Sequence, residues 1–154
     1  MLKEGDKAPS FNMPTNTGEK VSLSKLKGQK IVLYFYPRDD TPGCTKEACG
    51  FRDDLSKYKK AGAVVIGVSK DSIESHQKFI DKYDLNFILA TDKDGDVCEK
   101  YDAWLLKNMY GKKYFGIGRS TFLIDTKGKI HKKWSKVKVD KHAEEVLEAL
   151  ERCP

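Results

Sequence analysis

Residues 31–69 contain the pattern that most restricts the fold of this chain. Ile31–Tyr36 is an apolar run of buried-strand length, and Ala63–Ser69 is a second such run. Between them, Phe51, Leu55 and Tyr58 recur at helical spacing until an Ala-Gly pair ends the pattern. A helix between two buried strands is a β-α-β unit, which predicts parallel strands joined by a right-handed crossover. The pattern therefore predicts an α/β fold around a central sheet.

Further strands and helices are predicted on both sides of this unit. Asp71 and Glu74 supply an N-terminal capping pattern for a second helix, whereas residues 91–118 are less regular. The other predicted elements are a hairpin of Phe11–Met13 and Lys20–Leu23, a second-helix face of Ile73, Ile80 and Tyr83, a strand at Phe87–Ala90, a hairpin of Ser120–Asp125 and Lys129–Trp134, and a last helix from about Asp140. This order predicts a central mixed β-sheet flanked by helices, with an N-terminal β-hairpin.

The composition predicts an ordinary soluble protein of one domain, residues 1–154. The 39% hydrophobic and 34% charged residues are usual for a soluble protein. The chain is also long enough to bury a core without disulfides or metals. No stretch reaches the roughly 20 apolar residues of a membrane span, and the charged N-terminus lacks a signal-peptide core, so a cytoplasmic location is expected. The 29 Lys and Arg and 23 Asp and Glu, net charge +6, are interleaved along the chain, without the clustered basic face of a nucleic-acid-binding protein.

Cys44 is the residue whose position points most directly to chemistry. It follows the first predicted strand of the β-α-β unit and opens the helix, where Thr41 suits an N-cap and Pro42 suits a first helical residue. Cys44 therefore falls in the first helical turn, where the positive end of the helix dipole stabilises a thiolate. We predict that Cys44 is a reactive cysteine.

Cys49, five residues further on, is a candidate redox partner of Cys44. In a continuous helix five residues rise about 7.5 Å, beyond the roughly 7 Å limit on the Cα separation of a disulfide. The pair suggests a cycle in which Cys44 is oxidised to a sulfenic acid, the first turn opens, and Cys49 completes a disulfide. In the alternative interpretation, Cys49 has no redox role and is an apolar residue on the helix face beside Phe51. Oxidation of this pair would also suit a different function, that of a redox sensor or binding module. A partner would then recognise the oxidised form, and the chain would not turn over peroxide rapidly.

The other cysteines and the histidines suggest no additional site. Cys98 is expected to be buried in a short helix, where it is a second candidate to resolve oxidised Cys44, and Cys153 is expected to be exposed near the C-terminus. A cysteine hydrolase is a weak alternative, because none of the histidines at 76, 131 and 142 can be tied to Cys44 as a base. No cysteine pair has zinc-site spacing, and residues 92–96 lack the closing glutamate of a calcium loop. We expect neither a metal nor an organic cofactor.

The residues around Cys44 resemble the active-site motif of the peroxiredoxins. The motif is Pro-x-x-x-Thr-x-x-Cys, here Pro37, Thr41 and Cys44. A wider, collinear set of segments is similar to the bacterioferritin-comigratory, or Q-type, subfamily. These segments are Phe35–Pro37, Thr41–Thr45, Glu47–Asp53 and Tyr110–Lys113 through Gly118–Phe122. The resemblance covers nearly the whole chain and implies a thioredoxin-like fold, in agreement with the predicted order of elements.

The resemblance also implies roles for six residues. It identifies Cys44 as the peroxidatic cysteine and Cys49 as the resolving one. It assigns Thr41 to a hydroxyl contact with thiolate and peroxide, and Pro37 to shielding the site. The remaining two are Arg119, which would activate both sulfur and substrate, and Glu47, which would position this arginine. An arginine beside a thiolate favours the charged form, and its planar fork suits peroxide oxygens.

The function that the resemblance implies is thiol-dependent peroxidase activity in antioxidant defence. Hydrogen peroxide or an alkyl hydroperoxide would be reduced to water or an alcohol. Thioredoxin, or a similar dithiol protein, would then reduce the disulfide. The family expectation for the assembly is a monomer.

Overall fold

The chain folds around the predicted β-α-β unit, which supplies the central strands of the sheet. The computed structural model describes all residues from Met1 to Pro154. The strands are β1 (Asn12–Pro14), β2 (Lys20–Ser22), β3 (Lys30–Phe35), β4 (Ala63–Ser69), β5 (Ile88–Thr91), β6 (Trp104–Met109), β7 (Lys112–Ile117), β8 (Ser120–Ile124) and β9 (Ile130–Ser135). The α-helices are α1 (Pro42–Lys60), α2 (Ile73–Tyr83), α3 (Asp96–Lys100) and α4 (His142–Glu151), and one 3-10 turn spans Ser24–Leu26.

The central sheet is mixed, as predicted, with the strand order β5-β4-β3-β8-β9. β3, β4 and β5 are parallel to one another, whereas β8 pairs antiparallel with β3, and β9 antiparallel with β8. The pairing of β8 with β3 places Ser120 opposite Phe35. The residue before β8 therefore lies at the sheet edge where β3 ends and α1 begins.

Two hydrophobic cores cover the two faces of this sheet. Successive β3 side chains alternate between them, so that Val32 and Tyr34 enter one core while Leu33 and Phe35 enter the other. α1 and α4 cover the first face, and α3 with the N-terminal hairpin covers the second. Full burial of a side chain of the size of Phe51 stabilises the fold by roughly 1.5–3 kcal/mol. Coverage of both faces explains why β3 has an uninterrupted apolar sequence.

α2 has a cap and a buried face that differ from the prediction. Its N-cap is Ser72, whose Oγ accepts a hydrogen bond from the Ser75 N–H at 3.1 Å. Asp71 does not cap the helix, because its carboxylate accepts hydrogen bonds from the Ser69 hydroxyl and the Asp39 N–H. The fully buried residues are His76 and Phe79, and the predicted face of Ile73, Ile80 and Tyr83 is only half-buried.

Residues 91–118 contain more regular structure than the sequence indicated. β6 and β7 form an antiparallel hairpin that turns at Tyr110 and Gly111, whose φ angles are 53° and 80°. Two residues with positive φ suit the tight turn of a hairpin. The hairpin is a separate two-stranded sheet and carries every exposed large apolar side chain except Met1. These side chains are Leu105, Leu106, Met109, Tyr110, Tyr114 and Phe115.

Cys153 is buried, so the prediction of an exposed C-terminal cysteine is wrong. Its side chain is 5% exposed within the first core, and its carbonyl oxygen accepts a hydrogen bond from Lys30 Nζ at 2.6 Å. The segment after α4 therefore packs beside the start of β3. Cys98 is buried as predicted, and burial raises the pKa of both thiols. No helix combines the length and the apolar character that a membrane crossing needs.

Candidate active site

Cys44 lies in the first turn of α1, as predicted. The helix begins at Pro42, directly after Thr41, which has the extended backbone of an N-cap (φ −97°, ψ 156°). The Thr41 side chain does not cap the helix, because its hydroxyl donates to the Arg38 carbonyl oxygen at 3.0 Å. The N–H groups of the first turn thus have no side-chain cap. Such groups at the start of a helix favour a negative charge nearby.

Arg119 reaches Cys44 from a distant part of the chain. It lies between β7 and β8, at the sheet edge where β3 ends. Its Nη2 donates to Cys44 Sγ at 3.4 Å, and its Nη1 donates to Glu47 Oε1 at 2.8 Å. Burial opposes the charge of Arg119, but Glu47 and Cys44 outweigh this effect and raise its pKa. The guanidinium therefore stays charged while it contacts the sulfur.

Glu47 holds the guanidinium through the terminal nitrogen that does not contact the sulfur. It follows Cys44 by three residues and so lies on the same face of α1. Its side chain is buried, with the residue only 2% exposed, and its Oε2 has no hydrogen-bond partner. Burial raises the pKa of Glu47 to about 7, although Arg119 acts in the opposite direction. The carboxyl group beside Arg119 therefore titrates near neutral pH.

Glu47→Gln is expected to change how the reaction with peroxide depends on pH. The ionised carboxylate accepts a charge-assisted hydrogen bond from Arg119, which is stronger than the bond to a neutral group. With the pKa of Glu47 at about 7, acidification through neutrality protonates the carboxyl and weakens this bond, which slows the wild-type reaction. The neutral glutamine lacks this dependence. Competition kinetics with peroxide at several pH values around 7 would test this, and identical profiles would contradict it.

The same substitution is expected to stabilise the protein at alkaline pH. The pKa of Glu47 rises from 4.5 to about 7 on folding, so the folded state binds the proton more tightly than the unfolded state. The stabilisation linked to this proton is complete below about pH 4.5 and is lost as the pH rises through 7. Above pH 7 the variant should gain at most about 3 kcal/mol in the free energy of unfolding. Urea unfolding of wild type and variant, at one pH below this range of titration and one above it, would measure the gain in the free energy of unfolding.

The guanidinium of Arg119 packs closely against the residue before Cys44. A Cβ atom at Gly43 would lie 3.1 Å from Arg119 Nη2, closer than an ordinary van der Waals contact. The absence of a side chain there permits Arg119 to approach the sulfur. Tyr34 of β3 lies fully buried near this group, and burial, followed by the charge of Glu47, raises its pKa well above 10. Tyr34 is therefore a neutral phenol, packed in the same hydrophobic core as Cys44.

Cys49 and Pro37 are less closely connected to the Cys44 sulfur. α1 is continuous from Pro42 to Lys60, and all four cysteines of the chain are free. Cys49 therefore lies about 7.5 Å further along the helix axis and about 140° around it. Cys44 is 2% exposed, Cys49 is half-buried, and Pro37, just after β3, is exposed. A disulfide between the two cysteines requires α1 to unwind locally.

None of the three histidines forms a hydrogen bond with Cys44. His142 Nε2 lies 2.8 Å from Thr121 Oγ1, and His76 Nδ1 lies 2.7 Å from Asp39 Oδ2. Burial lowers the pKa of His142 to about 4, so this ring is neutral at pH 7. The alternative of a cysteine hydrolase therefore lacks its base. No local sequence pattern indicates the Asp39–His76 pair, whose members are 37 residues apart in the chain. No three His, Cys, Asp or Glu side chains lie close enough together to hold a metal ion.

Comparison with protein families and curated sequences gives strong similarity over nearly the whole chain. A model described as the AhpC/TSA family matches residues 4–133. Peroxiredoxin Bcp of Bacillus subtilis (strain 168) is 51% identical over 149 residues, which are 97% of this chain and 95% of that protein. Peroxiredoxin Bcp of Escherichia coli (strain K12) is 46% identical over 146 residues, 95% of this chain and 94% of that protein.

Solved structures agree with this similarity. A cysteine-to-serine mutant of Xylella fastidiosa PrxQ has a TM-score of 0.93 at 37% identity and covers 99% of this chain and 97% of its own. The bacterioferritin comigratory protein of Xanthomonas campestris, solved as trapped intermediate and ligand complexes to study its alkyl peroxide reduction, has a TM-score of 0.88 at 42% identity and covers 92% of this chain and 90% of its own. The thioredoxin-like fold expected from the sequence is therefore confirmed.

Proposed function

This chain belongs to the AhpC/TSA family and is a peroxiredoxin of the Bcp type, and on that premise we propose that Cys44 is its peroxidatic cysteine. Peroxiredoxins are thiol peroxidases, so the chain reduces a hydroperoxide with a cysteine thiol. The observation that carries the assignment to Cys44 is the 3.4 Å contact between its sulfur and Arg119 Nη2 at the start of α1. Cys98 and Cys153 are buried thiols whose pKa is raised, which disfavours their thiolates.

In the proposed first step, the Cys44 thiolate attacks the terminal oxygen of a hydroperoxide, ROOH. An S–O bond forms, the O–O bond breaks, and the sulfur gives two electrons to the peroxide. The leaving RO⁻ takes up a proton and departs as ROH, while Cys44 becomes a sulfenic acid. Arg119 stabilises both the thiolate and the negative charge that develops on the leaving oxygen.

Thr41 and Pro37 complete the proposed peroxide site. The Thr41 hydroxyl would contact thiolate and peroxide after rotating away from the Arg38 carbonyl oxygen, to which it donates at 3.0 Å. Pro37 lies two residues after the end of β3. It has no N–H group to bind water at the opening of the site, so it suits the role of a cover. Glu47 supports the site indirectly, because it holds Arg119 and does not contact the sulfur.

In the proposed second step, the Cys49 thiolate attacks the sulfur of the Cys44 sulfenic acid. The S–S bond forms, the S–O bond breaks, and hydroxide leaves as water after protonation. The helical separation of the two cysteines means that the first turns of α1 unwind before this step. The disulfide is then reduced by thiol–disulfide exchange with thioredoxin or a similar dithiol protein.

The proposed setting of the reaction follows from the chemistry of the site and of its relatives. Substrates are hydrogen peroxide and alkyl hydroperoxides, and the Xanthomonas campestris relative, whose alkyl peroxide reduction was studied, supports the second class. We propose that residues 1–154 act as one domain. We also propose that the protein is a monomer, because a net charge of +6 opposes association of identical chains. A cytoplasmic location suits four free thiols that must be returned to the reduced state.

Treatment of the fully reduced protein with one equivalent of hydrogen peroxide would test these assignments. Free thiols would then be blocked, and cysteine oxidation mapped by non-reducing peptide mass spectrometry. A disulfide between Cys44 and Cys49 is the expected product. Sulfenic acid on Cys44 alone, or a bond from Cys44 to Cys98, would keep the peroxidase but reassign the resolving step, whereas unreactive Cys44 would overturn the proposal. Continuous peroxide consumption with a recycling reductant would separate a peroxidase from a redox sensor.

A further inference from the structure

A buried polar cluster lies behind the loop that carries the reactive cysteine. Asp39 is 8% exposed and His76 of α2 is fully buried. His76 Nδ1 lies 2.7 Å from Asp39 Oδ2, and the same oxygen accepts a hydrogen bond from Ser75 Oγ at 2.8 Å. Asp39 Oδ1 accepts a hydrogen bond from the Tyr36 hydroxyl at 2.5 Å. Both carboxylate oxygens are therefore satisfied inside the protein.

Both ring nitrogens of His76 have partners inside the protein. Its Nε2 lies 3.1 Å from the Ala90 carbonyl oxygen, which only accepts hydrogen bonds, and its Nδ1 faces the Asp39 carboxylate. A buried hydrogen-bonded pair often stabilises a protein no better than apolar packing would, but loss of one partner leaves the other unsatisfied in the core. Such a pair selects one arrangement of the groups that it joins.

The Asp39–His76 pair holds the loop 37–41 in place. The loop connects the end of β3 to the first turn of α1 and so determines where Cys44 begins its helix. The Asp39 N–H donates to Asp71 Oδ2 at 2.8 Å, which ties the loop backbone to the end of β4. Next to it, Asp40 Oδ2 accepts a hydrogen bond from Lys82 Nζ of α2 at 2.8 Å, at the surface. Asp39 is thus the buried anchor of the loop, and Asp40 its exposed one.

We propose that the Asp39–His76 pair is a latch that positions Cys44 beneath Arg119 and sets how readily the start of α1 unwinds. The proposal rests on the proposed peroxidase cycle. Attack on peroxide needs the folded turn, because Arg119 contacts the sulfur only there. Disulfide formation needs the unwound turn, in which the Cys49 thiolate displaces hydroxide from the Cys44 sulfenic acid. A latch that holds the loop therefore favours the first step and opposes the second.

A series of variants separates this positioning role from general stability. Asp39→Ala removes the acceptor of Tyr36, Ser75 and His76. Asp39→Asn keeps a hydrogen-bonding side chain of the same shape, because its amide can pair with His76 Nδ1 and with the Ser75 hydroxyl. Ser75→Ala removes one bond from Asp39 and provides a milder test if the alanine variant at 39 fails to fold. Tyr58→Phe is the matched control, since it removes a buried hydrogen bond to the Ala143 carbonyl oxygen at the other end of α1.

Three quantities would be measured for each variant after the same pulse of hydrogen peroxide. They are the rate constant for oxidation of Cys44, the rate constant for loss of its sulfenic acid, and the fraction of Cys44 that a second peroxide molecule oxidises to sulfinic acid. Hydrogen bonds to charged groups are strong enough to shift an equilibrium about tenfold. Asp39→Ala should therefore lower the ratio of the oxidation rate constant to the resolution rate constant about tenfold, through slower oxidation and faster resolution, and it should form less sulfinic acid. Ser75→Ala should show smaller changes of the same signs, and Asp39→Asn should return most of the way to wild type.

The results distinguish the latch from the peroxidase itself. The proposal is overturned if Asp39→Ala, or Ser75→Ala where the former does not fold, keeps the wild-type ratio of the two rate constants, or changes it no more than Tyr58→Phe does. Opposite changes in the two rate constants, with rescue by Asp39→Asn, are the result that a merely structural role would not produce. Failure of the proposed function would instead appear in the wild type, as a Cys44 that peroxide does not oxidise.

Discussion

Cys44→Ser is expected to abolish peroxide consumption, with a loss of roughly 10³-fold or more, as for removal of a catalytic nucleophile. A serine hydroxyl is a weak nucleophile at its ordinary pKa and has no nearby base, because no histidine forms a hydrogen bond at this position. Cys49→Ser should retain the first turnover at nearly the wild-type rate, because Cys49 does not take part in the attack on peroxide. It should then stall when thioredoxin is the reductant, because no intramolecular disulfide forms.

Stopped-flow measurement of the first turnover, together with steady-state consumption of peroxide, would check both expectations. Cys153→Ser is the matched control, since it introduces the same hydroxyl at a buried cysteine outside the site. It should retain full turnover in the folded protein. Multiple turnovers in Cys44→Ser would contradict the role of Cys44, and unimpaired recycling of Cys49→Ser by thioredoxin would show that another thiol resolves the sulfenic acid.

The sheet and the start of α1 were predictable because local patterns determine them. The apolar run of β3 reports burial against both cores, and the helical spacing of Phe51, Leu55 and Tyr58 reports burial against the first. Burial is what periodicity detects. Thr41 and Pro42 marked the helix start correctly, although the Thr41 side chain bonds to Arg38 and does not cap. The position of a cap follows from sequence more reliably than the hydrogen bonds of its side chain.

The β6–β7 hairpin was missed because neither strand has a regular buried face. Leu105 and Leu106 are neighbours on opposite faces of β6, yet both are exposed. Periodic burial, the signal from which strands are recognised, is therefore missing from this hairpin. The Asp39–His76 pair was missed for a different reason. A histidine and an aspartate far apart in sequence are both expected at the surface, and only the fold brings them together in the interior.

The contact between Arg119 and Cys44 could not be derived from local sequence, because it depends on strand pairing. Arg119 reaches Cys44 since β8 pairs antiparallel with β3 and begins at the edge where β3 ends. A residue 75 positions away in the chain is brought to 3.4 Å by that register. Only the resemblance to peroxiredoxins indicated this arginine in advance, whereas the place of Glu47 on the Cys44 face of α1 follows from helical spacing alone.

Arg119→Lys is expected to lower the rate constant for reaction with peroxide by about 10²- to 10³-fold, the usual effect of removing one donor aimed at developing charge. The charge is kept, but the planar fork is lost. Arg119 places Nη2 on the Cys44 sulfur and Nη1 on Glu47 at the same time, whereas a lysine ammonium is a single point that cannot hold both groups in this geometry. Competition kinetics would measure the loss at saturating reductant.

Two further variants decide whether the position of the guanidinium or only its charge matters. Arg52→Lys is the matched control, because Arg52 lies on α1, the helix of Cys44, and forms an exposed ion pair with Asp53 away from the sulfur. This substitution should change the rate constant little. Gly43→Ala leaves Arg119 intact but introduces a Cβ 3.1 Å from its Nη2, which pushes the guanidinium from the sulfur. A loss of about tenfold in Gly43→Ala would show that catalysis depends on this contact. Wild-type rates in both Gly43→Ala and Arg119→Lys would mean that a positive charge near the thiolate is sufficient.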